Sequence, residues 1–100
     1  MNVGVVTTGL EPLVVGSVET FQHQGFDNRL IWDLTGGSAS LKIIDPTGAS
    51  TTYAATISGG CAFVTWAVAG PVGTWFRQWT VTSADGRHQV SRRIVFEVAA

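Results

Sequence analysis

The chain has 100 residues, a formal net charge of −1 at pH 7 and only 13% charged residues, against about 25% in ordinary soluble domains. This length suits one domain with one core, so residues 1–100 are treated as a single domain. The lack of a basic excess argues against nucleic acid as a partner. Because low net charge favours association, the charge-poor surface predicts contacts with neighbouring proteins.

The first segment, MNVGVVTTGLEPLVVGSVETF, has no positively charged leader, and Glu11 and Pro12 interrupt its apolar residues. It therefore does not read as a signal peptide. No run in the chain approaches the roughly 18 apolar residues that a membrane span needs. We expect synthesis in a cytoplasm, no membrane partner, and an N-terminal strand or arm over residues 1–12.

Apolar residues then recur at every second position, in runs rich in Val, Thr, Ile and aromatic residues. This spacing is typical of strands, and Gly, Asn, Asp or Pro separates the runs where the chain must reverse. The pattern predicts an all-β fold, either an antiparallel two-sheet sandwich of about seven to eight strands, which we favour, or a small barrel. The predicted strands are Val3–Thr8, Leu13–Gln22, Arg29–Leu34, Ala39–Ile44, Thr51–Ile57, Ala62–Val68, Thr74–Thr82 and His88–Val98.

The glycine pair in DLTGGSASLKIIDPTGAS, residues 33–50, suggests a phosphate loop or a catalytic turn at first sight. The stretch lacks the lysine and the spacing of a P-loop, and it does not match G-x-S-x-G. Turn chemistry explains it better, with Asp45, Pro46 and Gly48 at the first, second and fourth positions of a reversal. Between the turns, Leu41 and Ile43 should point into the core and Lys42 away from it.

The last two predicted strands are joined by Asp85 and Gly86, a pair that favours a two-residue type I′ hairpin. Its register places Trp75 opposite Phe96, Val81 opposite Val90 and Trp79 opposite Arg92. One face then carries most of the apolar side chains: Trp75, Trp79, Val81, Val90, Ile94 and Phe96. Arg77 and Arg92 share that face, which requires their guanidinium groups to reach the rim or to stack on Trp79.

On the other face of this hairpin, Phe76 pairs with Val95, and such an exposed apolar pair is a candidate contact patch. The alternative is a face that the chain's own N-terminal strand covers. Neighbouring Arg92 and Arg93 point to opposite faces of a strand, so they favour an ion-paired subunit contact or a solvated edge over nucleic-acid binding. The predicted protein-interface residues are Phe21 and Phe26 of the FQHQGF turn, Phe76, Arg92, Arg93 and Val95.

No set of residues with catalytic or metal-binding spacing is visible. His23 and His88 lie far apart, have no ligand spacing to another His, Cys or carboxylate, and are expected on the solvated surface. A single cysteine, Cys61, excludes an intramolecular disulfide. A catalytic pair of carboxylates, as in a glycosidase, that is distant in the sequence but adjacent in the fold stays open as an alternative. We predict no catalytic residue, no cofactor, no metal and no enzymatic activity.

Residues 13–98 resemble the immunoglobulin-like sandwich domain found at the N-terminus of tailed-phage baseplate upper proteins and in related small virion proteins. In that family an apolar strand enters an L-T-G turn, an alternating strand follows, and a Gly-x-aromatic strand precedes a DG hairpin. The positions that carry the resemblance are Leu34, Thr35, Gly36, Leu41, Ile43, Asp45, Gly48, Gly73, Trp75, Asp85 and Gly86.

The resemblance implies an immunoglobulin-like fold and a non-enzymatic structural role in a tailed bacteriophage virion. We do not expect the receptor-binding or fibre-anchoring region that follows in the family. The expected role is therefore a small oligomeric adaptor of the tail or baseplate, or a capsid decoration protein. Its partners would be other virion proteins and further copies of itself, and its location would be the virion, after assembly in the host cytoplasm.

The alternative from another class is a carbohydrate- or ligand-binding module of the same fold. Aromatic rings near the loops of such a module would stack against the ligand, and Trp32 and Trp66 are the candidate platforms. Alternation alone does not say which tryptophan points outward. Both alternatives are open at this point.

Overall fold

A computed structural model of the chain describes residues 12–24, 26–27, 30–31 and 33–100. The described part is all-β and contains no helix, as predicted. It contains eleven strand segments, more than the seven or eight expected, because several predicted strands are divided. They are β1 Leu13–Val14, β2 Val18–His23, β3 Phe26–Asp27, β4 Leu30–Ile31, β5 Ser38–Ile44, β6 Ser50–Ala54, β7 Thr56–Ser58, β8 Cys61–Ala67, β9 Gly73–Thr82, β10 His88–Val90 and β11 Ile94–Ala99.

Most strands belong to two sheets, which we call the large sheet and the small sheet. The large sheet has the order β1-β11-β9-β5-β6, with β10 also paired to β9, and the small sheet has the order β2-β8-β7. β3 and β4 form a separate pair, and within the strand expected over Arg29–Leu34 the described strand residues are Leu30–Ile31. The strand expected over Val3–Thr8 lies outside the described residues.

The two sheets pack face to face through aromatic side chains, which gives a sandwich-like arrangement. Phe21 and Trp66 of the small sheet contact Phe96 of the large sheet, with ring centroids 5.8 and 5.9 Å apart. Trp66 also meets Trp75 at 5.2 Å in an edge-to-face geometry. These contacts close the centre of the core, where Leu34 and Leu41 are fully buried.

The alternation predicted in β5 is confirmed, since Leu41 and Ile43 are buried in the core and Lys42 between them points away. The predicted reversal after β5 is also confirmed. The amide of Gly48 donates to the carbonyl of Asp45, and the Asp45 carboxylate accepts from the amide of Thr47. This turn returns the chain into β6, at the edge of the large sheet.

The predicted strand Leu13–Gln22 is divided, because the chain changes sheets in its middle. Strand β1 runs parallel to β11 in the large sheet, whereas β2 pairs with β8 in the small sheet. The crossing uses a turn in which Val15 donates to Ala99 of one sheet and Gly16 donates to Val68, which follows β8. Gly16 has φ +97°, a left-handed conformation that glycine adopts without strain.

The predicted strand Thr51–Ile57 is divided in the same way. Its first part is β6 of the large sheet and its second part is β7 of the small sheet, with Ala55 between them. Both divided segments show the same periodicity on either side of the crossing. The change of sheet is therefore invisible to the alternation pattern.

The final hairpin differs from the predicted two-residue type I′ turn. The amide of Gly86 donates to the carbonyl of Ser83, and the amide of Ser83 donates to the carbonyl of Arg87. Gly86 has φ +93°, so the loop is a three-residue turn that ends on a left-handed glycine. Val81 consequently pairs with Gln89, and the predicted pairing of Val81 with Val90 is wrong.

A β-bulge between β10 and β11 then restores the predicted register. Val90 pairs with Thr80 and Ile94 with Arg77, so three residues of one strand face two of the other. Ser91, and not Arg92 as predicted, lies opposite Trp79: its amide donates to the Trp79 carbonyl and its hydroxyl accepts from the Trp79 amide. Beyond the bulge, the predicted pairing of Trp75 with Phe96 is confirmed.

The bulge also changes the predicted apolar face. Val90 pairs with the outward-facing Thr80 and is 53% exposed, and Ile94 is 38% exposed at the end of its strand. Arg77 does lie on the core side, as predicted for that position. Its guanidinium stacks over Phe21 and Phe96, with 4.9 and 5.5 Å to the ring centroids, and not over Trp79.

Candidate functional site

The outer face of the large sheet is the face that points away from the small sheet. Its side chains alternate with core residues along β5, β6, β9 and β11, and most of them are serine, threonine or glutamine. Across its centre runs a row of three apolar residues in register: Ile44 pairs with Phe76, and Phe76 pairs with Val95. We call these three residues the apolar row. It confirms that Phe76 and Val95 pair as the sequence predicts.

Exposure varies along the apolar row. Val95 at one end is 53% exposed, Phe76 is half-buried, and Ile44 at the other end is only 7% exposed. Ile44 does not belong to the core cluster, because it points to the opposite side of the sheet. An apolar row of this kind on a polar sheet face offers a place for another protein to bury surface.

Charges on this face are few. Among the described strand residues of the outer face, Lys42 and Glu97 are the only ones with a formal charge at pH 7. The Thr74 hydroxyl donates to Oε2 of Glu97 at 2.7 Å and so holds that carboxylate in place. Within the described part of the chain, neither Lys42 nor Glu97 has an ion-pair partner.

The other predicted interface residues are placed in three different environments. Phe21 lies in the core at 9% exposure, so the prediction that it forms a surface contact is wrong. Its position in β2 makes it pair with Val64, and both side chains point toward the large sheet. Phe26 lies in β3, a strand of the separate two-stranded pair and not of the large sheet. Arg92 and Arg93 are exposed in the bulge between β10 and β11.

His23 is not the solvated surface residue that the sequence predicts. Its ring stacks on Trp79 at 5.5 Å with an interplanar angle of 12°, and its Nε2 atom is buried with no hydrogen-bond partner among the described residues. Burial lowers the pKa of His23 below its ordinary value of 6.5, because desolvation disfavours the charged ring. His23 therefore acts as a half-buried aromatic ring at the side of the core.

Three aspartates in turns have a lowered pKa for structural reasons. Hydrogen bonds from Thr35, Thr47 and Ser83 lower the pKa of Asp33, Asp45 and Asp85, respectively. In each case the first cause is a neighbouring hydroxyl that donates to the ionised carboxylate. Asp85 also forms an exposed ion pair with Arg87. These carboxylates stabilise turns, and their surroundings do not raise a pKa as a general acid would require.

An open groove of about 590 Å³ lies between β6 and the small sheet. Tyr53 and Phe63 line it together with polar residues such as Thr56, Ser58 and Thr65. Sequence reasoning missed this groove, although its lining lies within residues 53–65, because alternation does not show that the chain changes sheets between β6 and β7. Trp66, one of the two platforms expected for a ligand, is 5% exposed in the core and so is not available. Trp32, the other, lies outside the described residues.

No group of three or more His, Cys, Asp or Glu residues that could hold a metal ion occurs in the described part of the chain. The same residues form no helix that is long and apolar enough to cross a membrane. No family model matches the chain, and neither the curated proteins nor the solved structures contain a match.

Proposed function

We propose that this protein is a non-enzymatic structural protein that works by binding other proteins through the outer face of the large sheet. The observation that carries the proposal is the apolar row on a face whose described strand residues include only two with a formal charge. Exposed apolar surface of this kind is typical of contact sites, where aromatic residues are enriched and charges depleted. Phe76 and Val95 would supply the buried centre, and Arg92 and Arg93 the charged rim.

The strand order supports an immunoglobulin-like topology as part of the proposal. In the variable type of that fold, the first strands of the chain divide between the two sheets and the last strand lies beside the one before it. Here β2, β8 and β7 would correspond to one sheet, and β5, β6, β9 and β11 to the other. The parallel pairing of β1 with β11 would close one edge of the large sheet.

The setting in a tailed-phage virion rests on the resemblance of residues 13–98 and on the charge-poor composition. In that setting the protein would be an adaptor of the tail or baseplate, or a decoration protein of the capsid. Such proteins are assembled once and then stay in contact with their neighbours, so a surface with few charges suits them.

Localisation on the particle is the direct test. Virions that carry the protein should show density for a two-sheet domain of 100 residues whose outer face contacts a neighbouring chain. Cross-linking of intact particles should link residues near β9 and β11 to that neighbour. A protein that stays monomeric at high concentration and is absent from purified particles would contradict the proposal.

The groove beside β6 favours a second candidate, a ligand-binding module. Its volume lies in the range of small-molecule sites, and Tyr53 and Phe63 could stack against a sugar ring while the hydroxyl groups bind its oxygens. Titration with oligosaccharides should then perturb the NMR signals of Tyr53 and Phe63. Spectra that do not change at millimolar sugar concentration would reject this candidate and leave the structural role standing.

A further inference from the structure

We propose that the outer face of the large sheet binds a second copy of this chain around a twofold axis that passes over Phe76. This inference rests on the function proposed above and names the partner of that surface. In the dimer, Lys42 of each protomer pairs with Glu97 of the other, and the two apolar rows cross at Phe76.

Lys42 and Glu97 lie on opposite sides of Phe76, at equal distances from it. Lys42 pairs with Gln78 from one side of β9, and Glu97 pairs with Thr74 from the other side. Gln78 and Thr74 are each two residues from Phe76, in opposite directions along β9. With strands about 4.8 Å apart and about 3.4 Å per residue, each charge lies roughly 8 Å from Phe76.

Lys42 and Glu97 are consequently about 17 Å apart on one chain, too far for an ion pair. Their midpoint falls on Phe76, the central residue of the apolar row. A twofold axis that lies parallel to the sheet over Phe76, perpendicular to the line between the charges, exchanges the two positions. The same rotation sets the lysine of each copy against the glutamate of the other, and one Phe76 against its copy.

Closed symmetric dimers require this kind of surface, because residue i contacts residue j and j contacts i. If the midpoint of the two charges did not fall on the apolar row, a twofold axis could bring together either the opposite charges or the apolar residues of the two copies, but not both. Glu97 is also held in position by Thr74 before any partner binds. Less side-chain freedom is then lost on association.

The size of the face sets the expected strength. Four strands, β11, β9, β5 and β6, and about seven residues of length give a face of roughly 20 by 24 Å. The two copies together would bury on the order of 1,000 Å², at the lower limit for specific interfaces. We therefore expect a dimer that dissociates in the micromolar range, with a short lifetime outside a larger assembly.

Charge reversal tests the inference directly. Sedimentation equilibrium over roughly 1–200 μM, the range in which a micromolar dimer converts, would be measured for the full chain and for Lys42→Glu, Glu97→Lys and the double variant. Each single change turns both ion pairs of the dimer into repulsive contacts, so Kd should rise at least about tenfold. The double variant restores both pairs with reversed polarity, and its Kd should return to within about threefold of the original.

Two controls separate the ion pairs from other effects. Thr65→Lys adds a charge to an exposed position of the small sheet and should leave the dimer unchanged. Thr74→Val removes the hydrogen bond to Glu97 without a change of charge, and should weaken the dimer less than Glu97→Lys. Circular dichroism and thermal unfolding would establish that every variant is folded.

Three results would overturn the inference: a full chain that is monomeric throughout the range, single variants that dimerise as well as the original, or a double variant that does not recover. A monomeric chain would leave the outer face to a protein of different sequence or to residues 1–11 of the same chain. The proposed structural role would survive that result, because it needs only some protein on this face. The structural role has a separate test, because absence of the protein from purified virions would contradict it.

Discussion

The two faces of β9 carry aromatic residues that have opposite consequences. On the inner face, Trp75 and Trp79 are 6% and 1% exposed and pack against the small sheet. On the outer face, Phe76 is only half-buried and contacts apolar neighbours of its own sheet. A buried aromatic residue stabilises the fold, whereas a partly exposed one on a polar face keeps some apolar surface available for another chain. Adjacent residues of one strand thus serve folding and, in the role proposed above, assembly.

The largest expected loss of stability is at the inner face of β9. Trp79→Ala should reduce the free energy of unfolding by about 3–5 kcal/mol, because it opens a cavity in the core and removes the ring against which His23 stacks. The matched change on the outer face, Phe76→Thr, should cost about 1 kcal/mol or less. Urea denaturation measures both values, and equal losses would contradict the division between the faces.

The next effect tests the turn that sets which residues face inward. Gly86→Val should cost about 1–2 kcal/mol, because a β-branched residue is strained at φ +93°. No atom lies within 4 Å of the position that a Cβ would take, so the cost comes from the backbone alone. Gly86→Asn, which tolerates a left-handed backbone better, should recover part of it. Unaltered thermal stability of Gly86→Val would contradict this turn.

The smallest expected effect is the contribution of His23, at the side of the core, to the pH dependence of stability. His23 has a pKa below 6.5 in the folded protein, so the unfolded chain binds a proton first as the pH falls. Stability should be complete above pH 6.5 and decline as the pH falls through 6.5 toward the folded pKa. The lowered pKa values of Asp33, Asp45 and Asp85 act in a separate window, below their ordinary 3.8.

Variants at the two histidines isolate this contribution. His23→Gln should flatten the dependence of the melting temperature on pH between about 7 and 5, the range around the ordinary histidine pKa. His88→Gln, at an exposed position near the hairpin, should leave the contribution of His23 in place. A slope that persists in full in His23→Gln would exclude His23 as its source.

Much of the fold was predictable because it depends on local patterns. Alternation in β5 predicts the buried Leu41 and Ile43 correctly, and turn residues predict the reversal from Asp45 to Gly48. The pairing of Phe76 with Val95 was also predictable, although by a register that holds only beyond the bulge. The final hairpin loop takes one more residue than predicted from the β9 side, and the bulge takes one more from the side of β10 and β11, so the two deviations cancel.

Other features were not predictable from alternation. The sequence predicts Phe21 and His23 at the surface because they lie near a polar turn, but the large sheet covers their face of β2. The groove lined by Tyr53 and Phe63 lies within residues 53–65, but it depends on the change of sheet between β6 and β7, which alternation does not show. The central position of Phe76 between Lys42 and Glu97 likewise needs the order of β11, β9 and β5.

The strand character of the chain, the turn positions and the alternation of side chains within an undivided strand such as β5 can be read from the sequence alone. These properties follow from backbone preferences and from a period of two, which act over a few residues. Three features become visible only in the tertiary structure: the points after β1 and β6 at which the chain changes sheets, the position of the bulge, and the identity of the covered aromatic residues. Those outcomes depend on packing between strands far apart in the chain, which no local pattern records.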